Sequence, residues 1–254
     1  MTENKDWFKN EAFWATYAPV IFDTKRWAEA PGIAEAILKI IGKSEKDGQG
    51  VKILDAGCGP GRIAVELAVR KAAVTGVDLI LPFLNAARES ANDENVDIEL
   101  LQGDLRKFVR KDFFDVAISM YTSFGYCNTV EEDMLILQNI YESLQENGWF
   151  ILEMTGKEIA IRDFTAGEWF QRDNLTVLTD FSVEGAWEGL RSHWVLYDEQ
   201  GRRTDHTYVQ RLYSAVELKD LVLKAGFASV EIYGDFEFSP YNEKARTMVL
   251  IGRK

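Results

Sequence analysis

Three glycines follow an apolar run in the stretch LDAGCGPGR, residues 54–62. The run begins at Val51 as VKILDA, which has the length and the side chains of a buried strand. Glycine lets the backbone turn tightly and come close to a ligand, and a helical pattern follows from Arg62. The stretch therefore predicts a strand, a ligand-binding turn and a helix, as in open α/β sheets.

The chain continues this alternation of strands and helices up to Glu153. Further strands are predicted at AVTGVD (73–78), VDIELLQGD (96–104), FFDVAISMY (113–121) and WFILEM (149–154). Helical patterns lie between most of them, the clearest being EEDMLILQNIYESLQ (131–145). Strands that alternate with helices indicate right-handed crossovers and a largely parallel sheet.

After Glu153 the alternation is interrupted by an insert. Three segments, LTVLTDFSVEG (175–185), WEGLRSHWVLYD (187–198) and RRTDHTYVQRLY (202–213), are typical of successive strands joined by glycine-containing turns. They predict an antiparallel meander. A helix at ELKDLVLKAGF (217–227) and two closing strands then return to the first pattern.

Composition excludes several kinds of partner. The 254 residues carry 29 Lys and Arg against 41 Asp and Glu, a formal net charge of -12. Such an acidic surface repels phosphate backbones and anionic lipids, so neither nucleic acid nor membrane is expected as a partner. The two cysteines, Cys58 and Cys127, indicate no metal site and no disulfide framework, and without a secretory segment the chain is expected to be cytoplasmic.

The spacing of the glycines narrows the choice of ligand. Asp55 is followed by Gly57, Gly59 and Gly61 in the pattern D-x-G-x-G-x-G. A dinucleotide fingerprint needs glycine where Arg62 stands, and a phosphate-binding P-loop needs a Gly-Lys-Ser/Thr ending that is absent.

Two carboxylates complete the ligand prediction. Asp55 would repel a pyrophosphate, but it suits a ligand with an ammonium group. Asp78 ends the next strand, 78 − 55 = 23 positions further on, where a carboxylate can accept both ribose hydroxyls. The pair predicts a nucleoside with a cationic amino-acid tail and no phosphates.

S-adenosylmethionine (SAM) meets this description, and the sequence from 51 to 153 resembles the class I SAM-dependent methyltransferases. LDAGCGPG is similar to their first motif and GVDL (76–79) to their ribose-binding acidic motif. QGDLRKF (102–108) resembles the segment that holds adenine, and FDVAISMYTSFGY (114–126) resembles the fourth strand with its following loop. The four motifs occur in the family's order, each at the end of a predicted strand.

The resemblance implies a fold class: α/β, with a Rossmann-like doubly wound seven-stranded sheet, a final antiparallel strand and an inserted antiparallel β subdomain. FWATYAP (13–19), FDTKRW (22–27) and TSFGY (122–126) are most similar to a bacterial small-molecule branch that includes sugar-amine and glycine-type N-methyltransferases. The expected division is an N-terminal helical cap (1–50), a SAM-binding core (51–156), a β insert acting as lid (165–213) and a completion of the core sheet (214–254).

The resemblance also implies a set of cofactor-binding residues. Tyr17 would face the sulfonium, or else pack in the core, and Arg26 would clamp the methionine carboxylate. The Asp104 side chain would hold adenine together with the Leu105 backbone N–H, or Asp104 would cap the turn that follows it. The full set is Tyr17, Arg26, Asp55, Ala56, Gly57, Gly59, Gly61, Asp78, Leu79, Asp104, Leu105, Ser119 and Met120.

Candidate acceptor-site residues are Tyr126, His206 and Arg211. The glycine before Tyr126 would let the chain turn toward the cleft. The other two lie in the predicted insert, which would cover the cleft and meet the acceptor. The alternatives are a structural role for the histidine and a dimer interface for the insert.

The predicted function is methyl transfer from SAM to a small polar metabolite, with S-adenosylhomocysteine (SAH) as product and nitrogen favoured over oxygen. The loop SMYTSFGY (119–126) lacks the Asn/Asp-Pro-Pro-aromatic motif of enzymes that methylate nucleic-acid bases. One alternative is a nicotinamide-dependent oxidoreductase, which Asp55 and Arg62 disfavour; another is a non-catalytic SAM-binding protein. The protein is expected to be a monomer or a homodimer.

Overall fold

A computed structural model describes residues 6–44, 47–172 and 174–254 of the chain. Residues 1–5 and 45–46 of the expected cap, and residue 173 of the expected insert, lie outside the described residues.

Helices and strands alternate along most of the chain. A 3₁₀ turn at Trp7–Lys9 precedes the helices, which are α1 Glu11–Ile21, α2 Thr24–Ile40, α3 Arg62–Val69, α4 Leu81–Asp93, α5 Val130–Ser143, α6 Lys157–Arg162 and α7 Ala215–Lys224. The strands are β1 Lys52–Ala56, β2 Ala73–Asp78, β3 Glu99–Gln102, β4 Phe114–Ser119, β5 Leu144–Met154, β6 Gly167–Arg172, β7 Leu175–Glu184, β8 Gly189–Tyr197, β9 Arg203–Arg211, β10 Ser229–Tyr233 and β11 Met248–Arg253.

Within the described residues, seven strands form the main sheet in the order β10-β11-β5-β4-β1-β2-β3. Neighbouring strands from β5 to β3 in this order pair in parallel, whereas β11 is antiparallel to both β5 and β10. A second sheet, β6-β7-β8-β9, is antiparallel throughout. The predicted fold class is therefore confirmed, including the antiparallel final strand.

Apolar side chains cover both faces of the main sheet. One buried cluster joins the sheet to α5 and α7, and the other joins it to α2 and α3. Helix ends follow capping rules: the Thr129 side chain accepts the Glu132 N–H at the start of α5, and Ser214 and Glu217 form a capping box at α7. Two helical layers thus leave the carboxyl ends of β1, β2 and β4 open for a ligand.

The second sheet packs on the N-terminal residues. The Tyr17 hydroxyl donates to the Trp194 carbonyl at 2.9 Å, and the rings of Trp7 and Tyr208 stack with centroids 4.4 Å apart. On its other side, α1 contacts the core, where Trp14 meets Phe83 of α4 in an edge-to-face arrangement. Helix α1 therefore lies between the insert and α4. No helix in the described ranges is long and apolar enough to cross a membrane.

Candidate active site

A cleft of about 1150 Å³ lies at the carboxyl ends of the parallel strands. Its walls are the glycine loop after β1, the ends of β2 and β5, the segment after β3, the turn after β4, and residues of α1 and α2. The segment 236–247 closes one end. Among the described residues, none from 157 to 213 lines the cleft, so it is covered by the N-terminal helices and not by the insert.

The glycine loop depends on backbone conformations that other residues resist. Gly57, Gly59 and Gly61 have φ angles of 82°, 53° and 80°. A Cβ at Gly57 would lie 2.9 Å from the Ser123 Cβ, and one at Gly61 would lie 2.6 Å from the Ala87 Cβ. The loop is therefore packed tightly against the turn after β4 on one side and against α4 on the other.

Asp55 faces the cleft from the end of β1 with only 2% of its surface exposed. Among the described residues, none donates a hydrogen bond to its side chain. Burial, with a smaller effect of the nearby Asp78 carboxylate, raises the pKa of Asp55 to about 7. A buried carboxylate with no donor is costly, and a cationic ligand in the cleft would stabilise it.

Asp78, at the end of β2, also lines the cleft. Its two carboxylate oxygens accept the N–H groups of Gly59 at 2.8 Å and Ile80 at 2.9 Å, although burial raises its pKa. Each oxygen keeps a further lone pair for another donor. Asp78 therefore fixes the glycine loop and can still accept hydroxyl groups.

The expected adenine end of the cleft contains Leu79, Asp104 and Leu105. Arg106 already engages Asp104 through its side chain, with Nη2 2.7 Å from Oδ2, and through its backbone N–H, 3.0 Å from Oδ1. This ion pair holds the pKa of Asp104 below its usual range. The structure thus shows the turn-capping role, and the adenine contact of Asp104 stays a prediction.

Four other predicted cofactor residues do not line the cleft. Tyr17 is 1% exposed, and its hydroxyl is bonded to Trp194 of the insert. It packs the cap onto the insert, which agrees with the core-packing alternative and places its hydroxyl outside the cleft lining. Ala56, Gly61 and Ser119 lie next to cleft residues without lining it, whereas Met120 does line it.

Arg26, on the first turn of α2, lines the cleft. Its Nη1 lies 3.3 Å from a Glu29 carboxylate oxygen, and its guanidinium lies 5.1 Å from the centre of the Tyr121 ring. The carboxylate and the aromatic face both favour the charged form. Arg26 therefore lines the cleft with its charge partly balanced by Glu29, and its contact with the methionine carboxylate stays a prediction.

The structure does not bring the three predicted acceptor-site residues together. Tyr126 lines the cleft beside Trp7, with ring centroids 4.8 Å apart, and burial raises its hydroxyl pKa, so it is neutral at physiological pH. His206 instead packs against Phe13 on α1, with ring centroids 4.4 Å apart. Its buried Nε2 has no partner among the described residues, and burial lowers its pKa.

Arg211 is held by the core beneath the insert. Its Nε lies 3.2 Å from the fully buried Asp133 carboxylate, and its Nη2 donates to the Asn128 carbonyl at 2.9 Å. The same carboxylate oxygen accepts the Tyr213 hydroxyl at 2.7 Å. The guanidinium therefore lies against a buried carboxylate, and Arg211 anchors the end of β9 without lining the cleft.

Several residues that line the cleft were not predicted from the sequence. The Tyr121 hydroxyl donates to Glu29 at 2.7 Å, and the Arg62 guanidinium lies 4.0 Å from the centre of the Tyr121 ring. Glu153, at the end of β5, accepts the Tyr121 N–H at 2.9 Å. The position of Glu153 at a strand end could have pointed to it. In the described ranges, no group of three or more His, Cys, Asp or Glu side chains is placed to hold a metal ion.

Comparison with known proteins adds a domain match and a similar protein to this fold and site. Residues 53–148 match the family model described as a methyltransferase domain. A protein of Geobacillus sp. (strain WCH70) named as a methyltransferase is 27% identical over 219 residues, which cover 81% of this chain and 86% of the relative.

Solved structures show the same fold. The CcbJ methyltransferase from Streptomyces caelestis aligns with a TM-score of 0.74 and 22% identity, covering 88% of this chain and 95% of the other. SAM-bound CalS10, an amino pentose methyltransferase from Micromonospora echinaspora, aligns with a TM-score of 0.68 and 22% identity, covering 96% and 97%.

The chain has the doubly wound sheet of nucleoside-binding α/β proteins, with a cleft at its carboxyl edge. The protein is a SAM-dependent methyltransferase with SAM as its cofactor, because the match to the methyltransferase domain model and the similarity to a methyltransferase over 81% of the chain accompany this fold and cleft. The residues present fit that cofactor. The carboxylate of Asp55 is without a donor in the described residues and suits the ammonium, and Asp78 has lone pairs left for the ribose hydroxyls.

Proposed function

We propose that this protein transfers a methyl group from SAM to a nitrogen atom of a small polar metabolite, releasing SAH. One observation carries the proposal: carboxylates and phenolic hydroxyls line the cleft beside the glycine loop. Glu29 and Glu153 supply the carboxylates, and Tyr121 and Tyr126 supply the hydroxyls. This chemistry suits an amine, which arrives partly as an ammonium ion and must lose a proton to react.

The cofactor supplies an activated methyl group. The residues of this chain bind and orient the cofactor and the acceptor, and they exclude water. We assign the ammonium of its amino-acid tail to Asp55, its ribose hydroxyls to Asp78 and its carboxylate to Arg26. Trp14 and Phe22 line the cleft from the cap and limit the access of water. Methyl transfer of this kind depends mainly on placing the acceptor in line with the methyl carbon.

The acceptor nitrogen needs a group that takes its proton. Glu153 lines the cleft, and burial raises its carboxyl pKa toward that of an amine, although its oxygens already accept hydrogen bonds. Tyr126 is neutral, so its hydroxyl can bind the acceptor but is a weak base. We therefore assign proton removal to a carboxylate of the cleft or to water held by it.

The names of similar proteins support an amine acceptor. CalS10 is described as an amino pentose methyltransferase, and another neighbour in fold, KedS8 from Streptoalloteichus sp., as a sugar N-methyltransferase. A small polar amine would also fit the net charge of the chain, which disfavours polyanions.

A paired acceptor screen tests the proposal. Amino sugars and small amino acids would be compared with counterparts in which a hydroxyl replaces the amine, and SAH release would be measured. We expect release with one or more amines and none with the matched hydroxyl compounds. Release with hydroxyl compounds alone would overturn the choice of nitrogen. A chain that binds SAH but turns over no acceptor in a broad panel would favour a non-catalytic binding protein.

A further inference from the structure

The turn after β4 contains two neighbouring residues in a strained backbone conformation. Tyr121 and Thr122 have φ angles of 54° and 59°, in the left-handed region that favours glycine. The β-branched side chain makes this especially unfavourable for Thr122. Such conformations persist only where the surroundings enforce them, and they concentrate at functional sites. Both residues line the cleft.

Glu153 holds both strained residues. Its carboxylate oxygen Oε2 accepts the Tyr121 N–H at 2.9 Å, and its backbone carbonyl accepts the Thr122 N–H at 3.1 Å. The Thr247 hydroxyl donates to the other carboxylate oxygen and so fixes the side chain. Since β5 is a central strand of a well-packed sheet, Glu153 gives the turn a rigid support.

The Tyr121 side chain joins the turn to the residues around the cofactor loop. The centre of its ring lies 4.0 Å from the Arg62 guanidinium and 5.1 Å from the Arg26 guanidinium. Arg62 begins α3 directly after the glycine loop, and Arg26 lies on α2. The ring therefore contacts side chains of both helices, and its position depends on the backbone that Glu153 holds.

The turn after β4 also contacts the glycine loop directly. The Ser123 hydroxyl lies 2.9 Å from the Met120 carbonyl and 3.3 Å from the Gly57 carbonyl. Only the missing side chain of Gly57 leaves room for Ser123. A shift of the turn would therefore move the loop beside Asp55, where we place the amino-acid tail of SAM.

We propose that Glu153 is a positioning residue for SAM binding: it holds Tyr121 and Thr122 in the left-handed conformation and so keeps the glycine loop in the shape that receives the amino-acid tail. The inference rests on the proposed placement of that tail at Asp55. The role concerns the amino-acid tail alone, because we assign the adenosine end of the cofactor to β2 and to the segment after β3.

Binding of SAH and of adenosine, which lacks the tail, tests this role. Glu153→Leu removes the acceptor for the Tyr121 N–H and keeps a side chain of similar size. We expect it to weaken SAH binding at least about tenfold, since small displacements in a binding site are costly, and to change adenosine binding less than about twofold. Glu153→Gln keeps an acceptor oxygen and should bind SAH within about threefold of the parent. Calorimetry would measure all three proteins.

A rescue variant separates positioning from general stability. Asparagine tolerates the left-handed region, so adding Thr122→Asn to Glu153→Leu should recover much of the SAH affinity. If Glu153→Leu does not fold, Tyr121→Ala removes the ring while keeping Glu153 and should show the same selective loss. Equal losses for SAH and adenosine, or no loss for either, would overturn the inference.

The Asp55→Asn variant distinguishes this inference from the placement on which it rests. Selective loss of SAH binding in Asp55→Asn but not in Glu153→Leu would leave the tail at Asp55 and reject the role of Glu153. Equal affinity of the parent protein for SAH and adenosine would reject both.

Discussion

Replacing Asp55 by asparagine should make the ligand-free protein more stable and the cofactor complex weaker. Burial raises the Asp55 pKa from its ordinary value of 3.8 to about 7. Between about pH 4 and pH 7 the folded chain therefore binds a proton that the unfolded chain has lost, so the free energy of unfolding falls as the pH rises through this window. A difference of one pKa unit corresponds to about 1.4 kcal/mol, so burying the ionised Asp55 side chain lowers the free energy of unfolding by roughly 4 kcal/mol at pH 8.

Asparagine avoids most of this cost. It keeps the shape of the side chain but carries no charge, although it also gives up the attraction of Arg62 for the carboxylate. We expect Asp55→Asn to be about 2–4 kcal/mol more stable than the parent at pH 8, and to lose the contribution of Asp55 to the pH dependence of the free energy of unfolding between pH 4 and pH 7.

Cofactor binding should change in the opposite direction. The ionised carboxylate is the form that binds an ammonium group, and a hydrogen bond to a charged group contributes about 1.5–3 kcal/mol. SAH affinity should therefore fall about 10-fold to 150-fold in Asp55→Asn at pH 8. In the parent, SAH affinity should rise with pH up to about 7 and then level off, since binding requires loss of the Asp55 proton.

Urea unfolding of the ligand-free proteins at pH 5.5 and pH 8, with calorimetric titration of SAH, measures both effects. Asp220→Asn is a matched control, because Asp220 is exposed on α7 and does not line the cleft. The reasoning would be refuted if Asp55→Asn were less stable than the parent at pH 8, or if it bound SAH with unchanged affinity.

Three further predictions concern the loop and the insert. Asp78→Ala should weaken SAH binding by about 1.5–3 kcal/mol in calorimetry, because it removes the acceptor we assign to the ribose; unchanged affinity would reject that assignment. Gly57→Val should abolish SAH binding while circular dichroism stays unchanged, because its side chain would collide with Ser123 at a positive φ; normal binding would show that the loop is not the cradle. Arg211→Ala should lower the free energy of unfolding by about 1.5–3 kcal/mol and leave SAH affinity within about threefold, because Arg211 pairs with the buried Asp133; full stability with lost turnover would restore its acceptor role.

Much of the fold was predictable because its signals are local. Buried parallel strands are continuous apolar runs, and each is followed by turn and helix signals, so the strands of the parallel core could be placed along the sequence. The seven-stranded sheet with its antiparallel final strand was predicted from the family resemblance. Strand β6, Gly167–Arg172, was not predicted. Its residues are exposed or half-buried, so the chain there has no apolar alternation, and only its pairing with β7 makes it a strand.

The candidate site was predictable in part for the same reason. Asp55 and Asp78 stand at strand ends, and parallel strands bring their carboxyl ends to one edge. The positions of Tyr17 and His206 depend instead on how the insert packs against α1, which is a contact between distant parts of the chain. The link between Tyr121 and Glu153 spans 32 residues and rests on backbone strain, which has no sequence signal.

A crystal structure of the SAH complex tests the central claim most directly. We expect the amino nitrogen of SAH within about 3.2 Å of an Asp55 carboxylate oxygen, and the ribose hydroxyls at hydrogen-bond distance from Asp78. An SAH molecule bound outside this cleft, or bound in it with its amino group away from Asp55, would contradict the account.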